Sequence, residues 1–360
     1  MFAFTAAAGA TKKMKRHNGL YQQIYALPNI RTAHQNARRG KGQYSEVKMV
    51  NADPEKYFLE IHNQLKTKSF INSQYEMFKK TERGKTREIY KLPYYPDRII
   101  HHAIMQVLEP IWMSVFIRDT YASMKNRGIH DGVNRMKLFL RDAPGTKYCL
   151  KIDVRKFYPS IDHDILKTII RRKIKCRETL WLLDAIIDSA PGVPIGNYLS
   201  QYMANLYLAY FDHWAKDILG IRYYARYCDD IVMLSNSKHR LRDIYNKVNE
   251  YLNTNLKLEI KSNWQIFPTA IRGIDFLGYR FFGDKILVRK SIVKEFCKKI
   301  DALKKRDAKQ ADANSAMSYY GWLLHANASG LWNSKMTHDI KKMLMAACGC
   351  QSPKILNRRY

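Results

Sequence analysis

Two short apolar runs, residues 221–227 and 231–234, flank the acidic pair Asp229-Asp230. Apolar runs of this length on either side of a polar bend predict a β-hairpin. Two adjacent carboxylates at the bend repel each other, which favours a bound cation beside them. The alternative is ordinary turn chemistry, because Asp side chains commonly bond their own backbone at turns.

The chain around this pair is strongly basic. Its 360 residues include 62 Lys and Arg and 32 Asp and Glu, which gives a formal net charge of +30. Self-repulsion of this size disfavours a compact state unless a polyanion is the usual partner. Nucleic acid is the best candidate, since lysines and arginines displace the counterions condensed on phosphates. An anionic membrane is a weaker one, because no stretch approaches about 18 consecutive apolar residues.

Composition also limits the fold class and the compartment. A hydrophobic content of 46% excludes a disordered chain. The cysteines form no C-x-x-C pair, and their spacing fits neither a disulfide framework nor a zinc site. This pattern favours free thiols in a reducing cytoplasm. The cysteines are Cys149, Cys176, Cys228, Cys297, Cys348 and Cys350.

Hydrophobic periodicity predicts an α+β fold with a mainly antiparallel sheet and a helical end piece. Besides the hairpin, alternating patterns predict strands over residues 84–92, 147–154 and 256–260. Helical spacing occurs in several further segments. These are residues 52–66 with Asn51 or Asp53 as the cap, Ile99 to Leu108 stopped by Pro110, a helix capped by Asp162, residues 197–219, and the region beyond 290.

A third carboxylate, Asp153, stands near the end of the predicted strand 147–154. A lone Asp that closes a strand is ordinary. Three strand-borne aspartates, Asp153, Asp229 and Asp230, would suit two magnesium ions about 3.5–4 Å apart, which activate an attacking hydroxyl and stabilise a leaving pyrophosphate. Magnesium prefers oxygen ligands and binds through a few carboxylates plus substrate phosphates.

These residues lie within motifs that resemble those of the reverse transcriptases. Residues 151–158, Lys-Ile-Asp-Val-Arg-Lys-Phe-Tyr, resemble the first palm motif, and residues 227–230, Tyr-Cys-Asp-Asp, the second catalytic motif. Residues 195–201, Ile-Gly-Asn-Tyr-Leu-Ser-Gln, resemble the form found in diversity-generating retroelements. The similarity spans roughly residues 80–285, with further matching motifs at 96–102, 123–130, 260–265 and 272–280.

The resemblance implies a right-hand polymerase with fingers, an antiparallel-sheet palm and a helical thumb. It implies an RNA-directed DNA polymerase that copies a retroelement template RNA into cDNA, with errors at adenines, in a bacterial cytoplasm. The cofactor would be two Mg²⁺ ions, for which Mn²⁺ can substitute. The expected partners are template RNA, the RNA/DNA hybrid, dNTPs and an oligomer of a small basic accessory protein, with no membrane. The expected domains are a basic arm (1–45), fingers (46–145), a palm with interleaved fingers elements (146–285), and a thumb with a C-terminal tail (286–360).

Alternatives to this interpretation remain. A retron- or group II-type reverse transcriptase is the nearest, although group II intron enzymes usually carry Gln-Gly-x-x-x-Ser-Pro where this chain has Ser200-Gln201. A non-catalytic RNA-binding scaffold conflicts with the intact set of three aspartates. An RNA-templated RNA polymerase conflicts with the aromatic residue Tyr158.

For catalysis, the resemblance places the metal ions on three carboxylates and one backbone carbonyl, those of Asp153, Asp229, Asp230 and Val154. Asp153 and Asp229 would hold the ions most directly. Lys261 would protonate the leaving pyrophosphate. A solvated strand face explains Lys261 equally well, and Lys257 is a competitor for the same role.

For the incoming nucleotide, the resemblance selects Lys85, Arg87, Tyr158, Gly196 and Gln201. Lys85 and Arg87 share a strand face and would clamp the triphosphate, unless that face is merely solvated. Tyr158 would pack under the sugar and exclude a 2′-hydroxyl, unless it is a core aromatic. Gly196 would let the backbone approach a ligand closely, and Gln201 would lie near the template base. A simple helix start is the alternative for the last two.

Four further residues are expected to contact nucleic acid. Asn205 lies four residues after Gln201 on the same helical face, so both could reach one groove. In the expected thumb, Lys294, Lys298 and Lys305 form a basic stripe that could follow the phosphates of a hybrid duplex. Charge stripes are more often ordinary solvated helix surface.

Overall fold

The computed structural model describes residues 15–82, 85–303, 310–338 and 340. The chain divides into two compact units. Unit 1 comprises Met1–Lys125, Ile152–Ile221 and Ile244–Trp264. Unit 2 comprises Asn126–Lys151, Arg222–Asp243 and Gln265–Tyr360.

The helices account for most of the regular structure. A π-helical segment over Trp214–Ile218 extends the ninth of them. In chain order they are α1 (Tyr21–Tyr25), α2 (Leu27–Ala37), α3 (Ser45–Ala52), α4 (Pro54–Lys66), α5 (Ile99–Met113), α6 (Ile129–Leu140), α7 (His163–Arg171), α8 (Arg177–Ile187), α9 (Tyr198–His213), α10 (Lys238–Leu256), α11 (Thr269–Arg272), α12 (Lys290–Leu303), α13 (Gln310–Leu323) and α14 (Ser329–Lys335).

The strands are β1 (Glu76–Glu82), β2 (Lys85–Lys91), β3 (Tyr148–Asp153), β4 (Tyr223–Tyr227), β5 (Asp230–Ser235), β6 (Gln265–Pro268), β7 (Ile274–Phe276), β8 (Tyr279–Phe281) and β9 (Ile286–Val288). They form a β1–β2 hairpin, a four-stranded sheet in the order β4-β5-β3-β6, and a three-stranded sheet β7-β8-β9. The pairs β1/β2, β3/β6, β4/β5, β7/β8 and β8/β9 are antiparallel. The predicted α+β class with antiparallel sheets is confirmed.

Unit 1 is mainly helical, and α5 and α9 each bury many of their residues. α9 buries residues on nearly all of its faces, which suits a position inside a helical unit. The prediction that Pro110 stops α5 is wrong, because the helix continues to Met113. Proline removes one backbone hydrogen bond, but Ile111 and Trp112 beyond it are buried, and that burial holds the last turn in place.

Two predicted helix caps in unit 1 are confirmed. The Asp53 side chain accepts a hydrogen bond from the Lys56 backbone N–H at the start of α4. Asp162 does the same for Ile165 at the start of α7, with an O···N distance of 3.0 Å. Each cap satisfies a backbone donor that a helix leaves unpaired in its first turn.

The predicted strand over residues 256–260 is wrong. Leu256 is the last residue of α10, and Lys257 adopts a left-handed φ of 50° that ends the helix. The segment then runs in extended form and makes an isolated antiparallel bridge, Val154 with Ile260. The hydrophobic alternation of residues 256, 258 and 260 resembles a strand, but residue 256 ends a helix and only the residues after it are extended.

Unit 2 contains the four-stranded sheet up to Lys151 of β3, the three-stranded sheet and the C-terminal helices. The β7-β8-β9 sheet buries Tyr279 and Phe281. The Tyr279 hydroxyl donates a hydrogen bond of 3.1 Å to the Trp322 carbonyl of α13. The helix predicted beyond residue 290 is present as α12, which buries Ile292, Phe296, Ile300 and Leu303 at helical spacing.

Candidate active site

The acidic pair lies at the tip of the β4–β5 hairpin. Tyr227 pairs with Asp230, so Cys228 and Asp229 form the two-residue loop, and the predicted hairpin is confirmed. Cys228 adopts a left-handed φ of 53°. Beneath the loop, the fully buried Arg226 donates a hydrogen bond of 2.9 Å to the Cys228 carbonyl. This buried guanidinium fixes the backbone that presents Asp229.

Asp230 carries an ion pair that the sequence analysis did not predict. Its Oδ2 lies 3.3 Å from Nζ of Lys151 on β3, and both side chains are about 25% exposed. The Lys151 ammonium also donates to the Asp275 carbonyl. The Asp275 carboxylate in turn accepts from Arg289, with an Nε···Oδ1 distance of 2.8 Å. Period-two alternation places Lys151 on the same strand face as Asp153, and this signal could have identified it.

Asp153 is the last residue of β3, in unit 1, and Lys261 lies beside it. The backbone N–H of Lys261 donates to the Asp153 carbonyl at 2.8 Å. The Lys261 ammonium forms an ion pair with Oδ1 of Asp153. The structure therefore brings together two residues that were assigned to catalysis separately.

The isolated bridge between Val154 and Ile260 defines the surroundings of Val154. Its two flanking hydrogen bonds use the carbonyls of Asp153 and Glu259, and they leave the Val154 carbonyl out. Lys257, the competitor of Lys261, instead pairs with Asp162 at 2.6 Å. The hydrogen bond from Lys257 to Asp162 raises the pKa of this lysine.

A metal site would need these carboxylates to act together. Within the described residues, no group of three or more His, Cys, Asp or Glu side chains could hold one metal ion. The chemistry of the donors nevertheless suits a hard divalent cation, because all of them are oxygens. Lysine ammonium groups contact two of the carboxylates, Lys261 at Asp153 and Lys151 at Asp230. Each of these two carboxylates therefore already forms an ion pair with a lysine.

Tyr158 begins a short 3-10 turn, Tyr158–Ser160. Its side chain is half-buried, whereas the neighbouring Phe157 is buried. The Tyr158 carbonyl accepts a hydrogen bond of 2.9 Å from the Val193 N–H. Gly192 has a φ of 61°, and a Cβ there would overlap the Tyr158 carbonyl oxygen. The core-aromatic interpretation therefore fits Phe157 better than Tyr158.

Gly196 makes a different close approach from the predicted one. Its φ is 126°, and an added Cβ would overlap the backbone carbonyl of Tyr90 on β2. The Tyr90 N–H also donates to the Ile195 carbonyl at 2.8 Å. The glycine is needed because another part of the protein, strand β2, lies against it, and a ligand is not required to explain it.

The two polar residues of α9 have different surroundings. Gln201 is exposed, as a contact to a nucleotide requires. Asn205 is 2% exposed and donates a hydrogen bond of 2.9 Å to the Ala122 carbonyl. The expectation that Gln201 and Asn205 both reach one groove is wrong. The helical face that they share is exposed at Gln201 and buried one turn later at Asn205.

The β1–β2 hairpin carries the expected triphosphate clamp. Arg87 is exposed and pairs across the hairpin with Lys80. Lys85 is the first residue of β2, but its side chain lies outside the described part of the structure. Both residues belong to β2, which lies within the predicted strand 84–92.

The basic stripe of α12 is present in part. Lys294 and Lys298 are exposed, and Lys298 pairs with Glu295 at 3.2 Å. Lys305 lies outside the described residues. The stripe stands opposite the buried residues Phe296 and Ile300.

Residues 78–281 match the family model described as reverse transcriptase (RNA-dependent DNA polymerase). The match covers more than half of the chain, so the chain belongs to the reverse transcriptase family. It includes every candidate residue from Lys85 to Lys261. Enzymes of this family generally use divalent metal ions.

Curated relatives are found among bacterial proteins. Protein YkfC of Escherichia coli is 25% identical over 55% of this chain and 63% of its own length. The group II intron-encoded protein LtrA of Lactococcus lactis is 25% identical over 35% of this chain and 22% of its own length. The retron Ec73 reverse transcriptase of Escherichia coli is 25% identical over 72% of this chain and 87% of its own length. The chain thus spans less than two thirds of YkfC and LtrA.

A solved structure of apo telomerase from Candida tropicalis has a similar fold. The TM-score is 0.50 at 11% identity, over 78% of this chain and 57% of that one. The likeness concerns the fold alone. Separately, no helix among the described residues is both long and apolar enough to cross a membrane.

Proposed function

We propose that this protein is an RNA-directed DNA polymerase that extends a DNA end on an RNA template with dNTPs. The observation that carries the proposal is the reverse transcriptase match over residues 78–281, which includes Asp153 and the Asp229-Asp230 turn. Asp153 is the last residue of β3 and Asp230 the first residue of β5, so each of these carboxylates stands at the end of a strand. The net charge of +30 suits a polyanionic template.

Two Mg²⁺ ions, for which Mn²⁺ can substitute, would be held by the carboxylates of Asp153, Asp229 and Asp230 and the Val154 carbonyl. When bound, the ions would lower the pKa of the attacking 3′-hydroxyl and neutralise charge on the phosphates. Lys261 holds a proton next to Asp153 and would give it to the leaving pyrophosphate. Arg226 and Lys151 are positioning residues that orient the Asp229-Asp230 turn.

The nucleotide would be recognised by exposed and half-buried side chains. Tyr158 would exclude a 2′-hydroxyl, Lys85 and Arg87 would hold the triphosphate, and Gln201 would lie near the new base pair. Exposure of Arg87 and Gln201 supports these roles. Lys294 and Lys298 on α12 would follow the phosphates of the RNA/DNA hybrid, and Lys305 would extend the stripe.

We also propose the diversity-generating retroelement subtype, in a bacterial cytoplasm, with errors at template adenines and a small basic accessory protein oligomer as partner. The heptad at residues 195–201 supports it. The similarity to LtrA and to the Ec73 enzyme favours a second candidate, a group II- or retron-type reverse transcriptase. Ser200-Gln201 argues against the group II form.

One experiment tests both levels of the proposal. Purified protein is incubated with the RNA that flanks its gene and with dNTPs, and the cDNA is sequenced. Substitutions concentrated at template adenines support the retroelement subtype. Substitutions spread evenly over the four bases favour the second candidate. Failure to make cDNA on any primed RNA contradicts the polymerase proposal.

A further inference from the structure

A basic surface lies in unit 1 outside the residues assigned to catalysis. It combines residues 15–17 with residues 171–177, which connect α7 to α8, and we call it the α7–α8 basic surface. Its cationic residues are Lys15, Arg16, Arg171, Arg172, Lys173, Lys175 and Arg177.

The two segments of this surface are joined through their backbones. His17 forms a parallel bridge with Ile174. The His17 N–H donates to the Lys173 carbonyl at 2.7 Å, and the His17 carbonyl accepts from the Lys175 N–H at 2.8 Å. Backbone hydrogen bonds therefore hold the basic residues on both sides of the bridge in place. This reduces the conformational entropy that these residues lose when a ligand binds.

Ion pairs neutralise only part of this charge. Arg171 forms a bidentate pair with Asp184, with N···O distances of 3.1 and 2.5 Å. The Arg172 guanidinium lies over the Tyr210 ring, 4.4 Å from its centroid. Lys175 and Arg177 are exposed, and neither forms an ion pair with a described residue. Arg177 interacts electrostatically with the neighbouring Glu178 carboxylate, and Lys175 has no such neighbour among the described residues. Two cations two residues apart suit successive phosphates.

An open cavity of about 540 Å³ adjoins these cations. Arg171, Arg177 and Trp181 line it, together with Leu180, Asp184 and Ala185. Trp181 is half-buried, and its ring meets the buried Tyr21 edge-on with centroids 6.4 Å apart. An indole ring beside guanidinium groups is a platform on which an unpaired base can stack.

We propose that the α7–α8 basic surface binds single-stranded RNA, with phosphates on Lys173, Lys175 and Arg177 and one base against Trp181. The inference rests on the proposed function, since the ligand would be an unpaired segment of the RNA that carries the template. An acidic protein segment is the less suitable ligand, because it offers anions but no base for the Trp181 cavity. The surface would anchor that RNA through residues other than the catalytic aspartates.

The test measures the binding of the full-length protein to a fluorescent oligouridine of about 15 nucleotides, without dNTPs, as a function of salt. The double variant Lys175→Gln/Arg177→Gln should bind about tenfold more weakly, and the slope of log K against log salt should fall by about 1.4, as for two lost phosphate contacts. Trp181→Leu should also bind about tenfold more weakly but keep the slope, since stacking is not an ionic contact.

Matched controls separate this surface from the general charge of the chain. Lys238→Gln/Lys247→Gln removes two exposed cations from α10 and should leave oligouridine binding within about twofold of the wild type. Trp181→Phe keeps an aromatic ring and should recover most of the affinity lost in Trp181→Leu. Circular dichroism of each variant shows whether the chain is folded.

The outcomes distinguish this inference from the proposed function. Unchanged oligouridine binding in both surface variants, or an equal loss in the α10 control, would overturn the inference. If polyglutamate binds as tightly as oligouridine and Trp181→Leu does not change its binding, the ligand is an acidic protein segment. That result would also overturn the inference. DNA synthesis on primed polyadenylate is measured in parallel: its absence in the wild type contradicts the polymerase proposal while leaving the RNA-binding result intact.

Discussion

Each of two candidate catalytic carboxylates is contacted by a lysine. Lys261 pairs with Asp153, and Lys151 pairs with Asp230. An ammonium group this close offsets the charge repulsion that acidic side chains would otherwise add. At the scale of single residues, Asp153 at a strand end and Asp230 at a hairpin turn each have a cationic partner.

Tyr158 provides a residue-scale test of sugar selection. Replacing it with Ala removes the half-buried ring that we propose lies under the ribose, so Tyr158→Ala should incorporate ribonucleotides far better than the wild type. The measurement is the ratio of incorporation of a ribonucleotide to that of the matching deoxynucleotide on one primed RNA. Phe157→Leu, at the buried neighbour, is the control and should leave the ratio unchanged. An unaltered ratio in Tyr158→Ala would remove the gate assignment.

Asp162 provides a residue-scale test of stability. Burial works to raise the pKa of its carboxyl, but the hydrogen bonds from Lys257 and the Ile165 N–H outweigh burial, so the pKa lies below its usual range. A lowered carboxyl pKa contributes stability above the unfolded value of about 3.9, and that stability is lost as pH falls through the folded value. Asp162→Ala should therefore destabilise the protein at pH 7 by about 1 kcal/mol, the usual worth of a helix cap.

The amide variant Asp162→Asn separates the charge from the cap. Asn still accepts the hydrogen bond from Ile165 but lacks the ion pair, so its deficit relative to the wild type should be present at pH 7 and smaller near pH 3, below the unfolded pKa. Urea unfolding at the two pH values measures it. A deficit that is the same at both would show that the charge of Asp162 adds nothing.

At the scale of elements, Gly196 connects the β1–β2 hairpin to the start of α9. Gly196→Ala would place a Cβ against the Tyr90 carbonyl and force a non-glycine residue to a φ of 126°. We expect a loss of roughly 2–4 kcal/mol in the free energy of unfolding, from strain and overpacking together. Gly42→Ala is the matched control, because a Cβ there meets nothing within 4 Å. Equal stability of the two variants would mean that β2 does not lie against Gly196.

Local sequence signals predicted many of these elements. The spacing of Phe58, Ile61 and Leu65 predicted α4. Asp162 was correctly placed as a cap, and Asp53 was one of two candidate caps for α4 beside Asn51. Leu241, Ile244, Val248 and Leu252 in α10 have the same spacing but were overlooked. The end of α5 could not be read from Pro110, because burial of Ile111 and Trp112 overrides a local breaker.

The site was predictable to a smaller extent. Asp229 and Asp230 could be placed at a hairpin because the flanking runs are apolar, and Asp153 could be placed at a strand end. The partners of these residues depend on pairing between distant segments. The contact of Lys261 with Asp153 and the burial of Asn205 against Ala122 have no local sequence signature. The Tyr90 contact of Gly196 is of the same kind.

At the scale of the whole molecule, two buried histidines make stability depend on pH. Burial lowers the pKa of His101 to about 3 and that of His102 to about 4, with help from the nearby Arg98 charge. His102 also stacks on Tyr198, with ring centroids 4.1 Å apart. Both groups are neutral in the folded protein at neutral pH.

The unfolded chain binds protons at these histidines below about pH 6.5, and the folded chain does not. Stability should therefore fall as pH is lowered from 6.5, by up to about 1.4 kcal/mol per pH unit for each histidine, until the folded pKa is reached. Urea unfolding of the full chain at pH 7.5 and pH 5.5 measures this loss. His102→Gln should reduce the loss, and a variant with an unchanged pH dependence would contradict the assignment.

The central claim is that Asp229 serves RNA-templated DNA synthesis rather than the fold. The most direct measurement is dNTP incorporation on a primed RNA by Asp229→Asn, beside RNA binding by the same protein. We predict that synthesis falls at least about a thousandfold while binding and thermal unfolding stay as in the wild type. Asp243→Asn, the same change at an exposed position on α10, should retain full synthesis. Wild-type synthesis by Asp229→Asn would contradict the account.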